Sequence, residues 1–292
     1  MAVAVAGVIC AMHAALAFDA IHANQVLHLA YSAFCNRSAI TSWNCQWCTG
    51  PAAFAGVEFH AFVSDTRAGT QGYVAIQRAA SRVIVSFRGS KNFENALEDA
   101  EFLLVQLPFG PSGIRVEDGF LRAYNSVRTA SLDAIVSAHA QCGANCSTLF
   151  TGHSLGGAMA TLGATEVALS GRTNLQVYTF GSPRVGDAAW ALWARDVIAA
   201  TNGSASVRMR RQLDIVPALP PRILGYRHLP TEVWNKHTGD DNTYVVCDGS
   251  GEDKTCGDSE EWPVFPLDLL HLKPAQHTMY MGFKGGYCLG GE

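Results

Sequence analysis

The sequence predicts an α/β fold: a central, mostly parallel sheet with helices on both faces. Three observations carry that expectation. Short β-branched runs alternate with helical-period segments through the middle of the chain, and a glycine-rich strand-to-helix turn sits among them. The 292 residues are 48% hydrophobic with a formal charge of −4, and no linker, repeat or low-complexity tract divides them, so one core is expected rather than several.

Residues 1–17 carry no charged side chain, and their apolar run falls short of the roughly 20 residues that span a bilayer. Ala15-Leu16-Ala17 offers a small-x-small cleavage pattern. We therefore read 1–17 as a signal peptide with the mature chain starting near Phe18, although the usual basic start is missing; a buried N-terminal helix is the competing reading. A single domain is expected over 18–292. Asp19 to Ala33 spaces Ile21, Leu27, Leu29 and Phe34 at helical intervals and is read as a helix. Gly72 to Gln77 and Ser81 to Phe87 are β-branched runs separated by a polar turn, which read as adjacent strands. Gly119 to Ala140 sets Phe120, Tyr124, Val127, Leu132, Ile135 and Val136 on one helical face. Then follow a strand at Ser147 to Thr151, a helix at Leu155 to Leu169, a strand at Gln176 to Phe180, a helix at Ala188 to Ala199 and a strand at Val207 to Arg210. In such sheets ligands sit at the C-terminal ends of the strands.

Composition also excludes partners. With 21 Lys plus Arg against 25 Asp plus Glu, and no basic run longer than Arg210-Arg211, the chain offers no surface for counterion-driven nucleic-acid binding. Cys10 lies in the expected signal, which leaves Cys35, Cys45, Cys48, Cys142, Cys146, Cys247, Cys256 and Cys288, an even set suited to an oxidising compartment. Sequence alone does not assign the pairs. Cys45 with Cys48, Cys142 with Cys146 and Cys247 with Cys256 are close in the chain, and that grouping leaves Cys35 for Cys288. A redox reading of Cys45-Gln-Trp-Cys48 lacks a preceding strand, and a zinc reading lacks a second pair at finger-like spacing. No metal or organic cofactor is implied. Asn36, Asn145 and Asn202 are candidate glycan acceptors, Asn145 with Cys146 inside its sequon.

The strand ending at Thr151 runs into Gly152-His153-Ser154-Leu155-Gly156-Gly157 and then a helix rich in small residues. A GxSxG turn between strand and helix forces the serine into a strained conformation that lifts its hydroxyl clear, and the glycines let strand and helix approach closely. The Leu155 amide, at the helix N-terminus, points where a negative oxygen would develop. Ser154 needs a base. His153 is too close in the chain to meet its neighbour's hydroxyl in line and is expected to pack beneath the turn. The order for this turn is serine, acid, histidine. Asp214 is the chosen acid because it follows the last strand seen in the sequence and is trailed by a loop stiffened by Pro217, Pro220 and Pro221; Asp187 is read as a helix N-cap. Spacing does not choose among His228, His237, His271 and His277.

Ser86-Phe-Arg-Gly-Ser90, Thr151-Gly-His-Ser-Leu-Gly-Gly157, Tyr178-Thr-Phe-Gly-Ser-Pro-Arg-Val-Gly186, the run Asp214 to Pro221 and Ala275-Gln-His-Thr-Met-Tyr-Met-Gly282 occur in consistent order. Through them the chain, from about Phe18 to Cys288, resembles the class 3 lipases, a group that also contains fungal feruloyl esterases. The resemblance implies an α/β-hydrolase fold, with Ser154 as nucleophile, Asp214 as acid and His277 as base. It also implies Ser90 as a second oxyanion donor beside Leu155. Trp43 to Cys48 and the terminal Gly286-Tyr-Cys288 resemble the family's short-range and end-to-end bridges; the Cys142 and Cys146 pair is an addition outside the resemblance.

Phe93, Ala96, Leu97 and Ala100 fall at i, i+3, i+4 and i+7, which predicts a short amphipathic helix within a lid at about 91–107. In lipases that resemble this chain, such a helix covers the serine in water and turns outward on lipid. Phe93 and Leu97 would form its apolar face. Glu94, Glu98, Asp99 and Glu101 make the other face acidic, a feature closer to the feruloyl esterases, whereas Phe102, Leu103, Leu104, Val105 and Leu107 suit either an acyl groove or an ordinary strand. The acidic insert from Gly239 to Glu261, closed by Cys247 and Cys256, is read as a solvated hairpin, with a part in the pocket rim as the competing reading. The expectation is a secreted carboxylic ester hydrolase acting on acylglycerols at lipid surfaces, which it touches transiently, without nucleic acid or an obligate protein partner. Alternatives are hydrolysis of plant cell-wall phenolic esters and non-catalytic lipid binding.

Overall fold

A computed structural model of the chain describes residues 18–50, 53–91, 101–143, 145–201, 206–212, 214–236, 243–260 and 274–288. The expected signal at 1–17, the lid residues Phe93 and Leu97, the histidines His237 and His271, and Asn202 lie outside them. The described elements are α1 (Ala20–Ser32), α2 (Arg37–Thr41), β1 (Val57–Asp65), β2 (Thr70–Gln77), β3 (Arg82–Phe87), β4 (Leu104–Gln106), β5 (Arg115–Glu117), α3 (Asp118–Cys142), β6 (Ser147–His153), α4 (Leu155–Leu169), β7 (Leu175–Phe180), β8 (Gly186–Asp187), α5 (Ala188–Ala199), β9 (Ser206–Arg211), β10 (Tyr226–Arg227), β11 (Glu232–Asn235), β12 (Tyr244–Val246), α6 (Pro274–His277), β13 (Met279–Tyr280) and β14 (Phe283–Lys284).

The main sheet has eight strands in the order β1-β2-β3-β6-β7-β9-β11-β12. Neighbours from β3 through β11 run parallel, and antiparallel strands close both edges. Side chains that alternate along each strand sort into two cores. Val83, Val85, Phe87, Phe150 and Val177 face α3, α4 and α5, while Ile84, Leu149, Tyr178, Phe180, Val207 and Met209 face α1. Each fully buried Val, Leu or Phe contributes about 1.5–3 kcal/mol, so these two layers supply most of the driving force.

Asp19 caps α1 by accepting from the backbone N–H groups of Ile21 and His22, which starts the helix at Ala20. Two residues placed on the apolar helical faces are exposed, Ile21 at 76% and Val136 at 59%. Asp214 does not follow the last strand. β11 and β12 lie beyond it, unread because β11 is four residues long and opens on Glu232. The Phe102 to Leu107 run yields β4, a partly buried edge strand of a small sheet ordered β10-β8-β5-β4, with Leu107 buried and Leu103 exposed.

Four disulfides join Cys35 to Cys288, Cys45 to Cys48, Cys142 to Cys146 and Cys247 to Cys256. The loop closed by the last pair corrects the reading of a solvated hairpin. Asp258 beside it is 8% exposed, and Glu252 within it forks onto the fully buried Arg184. Arginines on neighbouring elements need buried counter-charges, and this loop supplies them.

Candidate active site

The turn after β6 is tight enough to dictate its residues. A Cβ at Gly152 would lie 2.3 Å from the Gly156 carbonyl, and one at Gly156 2.1 Å from the Phe87 carbonyl oxygen. Only glycine allows strand, helix and neighbouring strand to meet there. Ser154 takes φ 59° and ψ −130°, a positive-φ conformation disfavoured for a residue with a Cβ. Its N–H donates to the Phe180 carbonyl at 2.9 Å, and its carbonyl accepts from Gly157 N at 2.8 Å as α4 begins. The expected oxyanion donors flank it: Leu155 opens α4, and the chain at Gly89, just before Ser90, passes so close that a Cβ there would sit 3.0 Å from Ser154 Cβ.

Asp214 emerges after β9 and is 1% exposed. Its Oδ1 accepts from Val216 N at 3.0 Å, and its Oδ2 accepts a short hydrogen bond from the Tyr280 hydroxyl. His277 Nδ1 lies 3.0 Å from both carboxylate oxygens. Burial alone would raise the Asp214 pKa. The neighbouring imidazole and the hydrogen bonds from His277, Tyr280 and Val216 outweigh it and hold the group below its ordinary value, hence ionised. An ionised carboxylate only accepts, so His277 Nδ1 donates to it and the Nε2 edge of the ring faces away from Asp214.

His153 fixes the other side of that imidazole. Its Nε2 donates to the His277 carbonyl at 2.7 Å, and the two rings are 4.4 Å apart between centroids. Burial, then the adjacent His277, pushes the His153 pKa down to about 3, so it is a neutral structural donor packed under the turn. Because His153 precedes Ser154, this contact brings the Asp214-bound imidazole to the turn that presents the serine. Among the downstream candidates His228 is excluded as a base by its own bond: its Nε2 donates to the Pro217 carbonyl at 2.6 Å. Asp187 caps α5 through the Trp190 N–H, as read from the sequence.

Sequence reasoning assigned no role to two residues here. Tyr280 anchors the carboxylate from the segment that follows His277. Gly181, at φ 58°, leaves room for the pair: a Cβ on it would lie 2.8 Å from Asp214 Oδ2 and 2.9 Å from His277 Cε1. Both lie in the quoted runs, but only their position at the ends of a strand and a turn hinted at use. Among the described residues, Glu232 with Cys247 and Cys256 has metal-like spacing, yet the two thiols are joined to each other and are not ligands.

Residues 84–224 match the family model described as Lipase (class 3). The secreted mono- and diacylglycerol lipase 1 of Fusarium solani is 36% identical over 192 residues, 64% of this chain and 55% of that protein. A lipase of Rhizomucor miehei is 30% identical over 253 residues, 85% of this chain and 64% of that protein. The chain thus spans between half and two thirds of the length of these relatives. A solved triacylglycerol lipase, described as having a serine protease triad at its catalytic centre, superposes with a TM-score of 0.75 at 27% identity, covering 91% of this chain and 94% of that one.

Proposed function

Because the chain belongs to the class 3 lipases and carries their α/β-hydrolase fold, we infer that it is a secreted serine ester hydrolase acting on acylglycerols at a lipid–water interface. The observation that carries this reading is the buried imidazole of His277, held on Nδ1 by Asp214 and seated against the residue that precedes Ser154.

In this mechanism Nε2 of His277 takes the proton of Ser154 Oγ as the oxygen attacks the ester carbonyl. Asp214 stabilises the imidazolium that forms and keeps its tautomer. The amides of Leu155 and Ser90 hold the tetrahedral oxyanion, each donor lowering the barrier by about 3–4 kcal/mol. The imidazolium returns its proton to the departing alcohol, and water, activated by the same ring, releases the acid from the acyl-enzyme. No step calls for a metal or an organic cofactor. Acylglycerol as substrate is supported by what the relatives are named for: mono- and diacylglycerols in Fusarium solani and triacylglycerol in the solved structure.

Ser154→Ala tests the chemistry. On soluble p-nitrophenyl butyrate the variant should lose on the order of 10⁴-fold or more in kcat, and retention of more than a few percent of activity refutes the nucleophile. Tributyrin emulsion against methyl ferulate tests the substrate, with the emulsion expected to be preferred. Failure of the wild type to label with a fluorophosphonate would return the chain to lipid binding without catalysis.

A further inference from the structure

The sheet edge beyond β7 buries charge in a way the triad does not use. Along β9, Val207 and Met209 face one core while Arg208 and Arg210 face the other side, 4% and 2% exposed. Arg184, after β7, is fully buried. Buried guanidinium groups persist only with carboxylates and satisfied donors. Glu232 pairs with Arg208 at 2.7 Å, and Asp258 with Arg222 at 2.6 Å and Arg210 at 3.3 Å. Glu252 takes Nε and Nη2 of Arg184 on its two oxygens at 2.9 and 2.8 Å, a bidentate pair. Arg184 holds Glu252 below its ordinary pKa, against the upward push of burial.

Arg184 does more than neutralise. Its Nη1 donates to the carbonyls of Ala218 and Pro220 at 2.5 and 3.2 Å, and its backbone N–H donates to Leu219 at 2.8 Å. Three successive carbonyls of the loop behind Asp214 therefore end on one residue. The preceding carbonyl, Pro217, is taken by His228, whose own backbone N–H donates to Glu252 Oε1 at 2.8 Å. Glu252 thus secures both holders of the loop. It sits in the segment closed by Cys247 and Cys256, beside Gly251, whose φ of 84° lets the backbone press against His228; a Cβ there would lie 2.6 Å from the His228 carbonyl oxygen. Asp214 in turn takes its orientation from this loop, through Val216 N at 3.0 Å.

We propose that Arg184 and Glu252 are positioning residues for the catalytic acid, and that the disulfide-closed segment 247–256 is the brace that makes them so. The segment fixes Arg184, Arg184 and His228 fix the Pro217–Pro220 carbonyls, and that loop sets the Asp214 carboxylate under His277. The proposal rests on the triad reading above.

The test is Glu252→Gln in the full-length secreted protein, which keeps the side-chain shape and removes the charge. On soluble p-nitrophenyl butyrate, kcat should fall about tenfold while KM stays within about twofold, because misplacement of a catalytic group costs turnover rather than binding. Glu252→Asp should recover part of the loss. Glu166→Gln, at the remote pair with Arg128, should leave kcat unchanged. The deciding measurement is the cycle with Asp214→Asn: if the brace acts through Asp214, Glu252→Gln costs nothing further in that background. An undiminished tenfold loss there overturns the proposal while leaving the triad intact. Wild-type kcat in Asp214→Asn alone overturns the triad and the proposal with it. Should Glu252→Gln fail to fold, Cys247→Ser with Cys256→Ser enters the same cycle: a loss of kcat that vanishes in Asp214→Asn supports the brace, and an unchanged or additive kcat refutes it.

Discussion

Among the described residues, two regions that bury charge are built differently. At the serine turn a single carboxylate, Asp214, faces one imidazole, the backbone of Ser154 sits at φ 59°, and glycines are pressed to contact. At the outer edge of the sheet, Arg184, Arg208, Arg210 and Arg222 face Glu232, Glu252 and Asp258. Permanent charges that neutralise one another have no capacity left for a charge that comes and goes; they hold backbone. In the mechanism proposed above, Asp214 meets a charge that forms on its partner during reaction, and it keeps that capacity. Burial and hydrogen bonding are common to both regions, so neither marks the reactive one. The strained serine does, in the reading proposed above.

That contrast is broken or sharpened by variants that strike one region at a time. Asp214→Asn should lower kcat on the order of 10³–10⁴-fold with little change in the unfolding midpoint, since the amide mimics the shape but leaves the imidazolium unsupported. A loss of similar size in stability would mean that the triad carboxylate is a structural charge like the others. Asp258→Asn, which removes the shared acid of Arg210 and Arg222, should cost about 3–5 kcal/mol in urea unfolding, the usual penalty for stranding a buried partner; an effect below about 1 kcal/mol would show the cluster to be dispensable.

A further comparison concerns pH, and there the two regions behave alike, because each keeps a neutral histidine as a donor. Native His153 titrates near 3, against an ordinary value of 6.5, and His228 is held well below 6.5 by burial and the adjacent arginines. Between those limits the unfolded chain binds a proton that the native ring refuses. Stability is therefore full above pH 6.5 and falls as acid is added, by up to about 1.4 kcal/mol per pH unit for each histidine. Urea midpoints measured from pH 7 to pH 4 should show this slope, and His153→Gln should reduce it. A slope unchanged in that variant would mean His153 is not the group responsible.

Much of this was legible in the chain, for reasons that also explain the omissions. The Val83 to Phe87 and Leu149 to Thr151 runs announce central strands because both faces are buried and the residues, Ser86 apart, are β-branched or apolar. Asp187 and Asp19 announce caps because the residue type and its place before a helix suffice. β1 escaped notice because an edge strand with Glu58 and His60 on it alternates weakly, and β11 because Glu232 reads as a surface charge. The charge pairing explains the misread insert. Val207-Arg208-Met209-Arg210 has the alternation of a half-solvated strand, and only the long-range return of Glu252 and Asp258 turns its polar side into an interior. Local pattern fixes which residues point together. It does not say what covers them.

The bridge from Cys35 to Cys288 spans 253 residues. It makes the folded body a covalent ring, from the end of the first helix to the hairpin beyond His277. A protease that nicks any surface loop within that ring opens it without releasing a fragment, so both halves stay tethered and can re-engage. Release of a fragment from between the bridged ends then requires a second, independent cut.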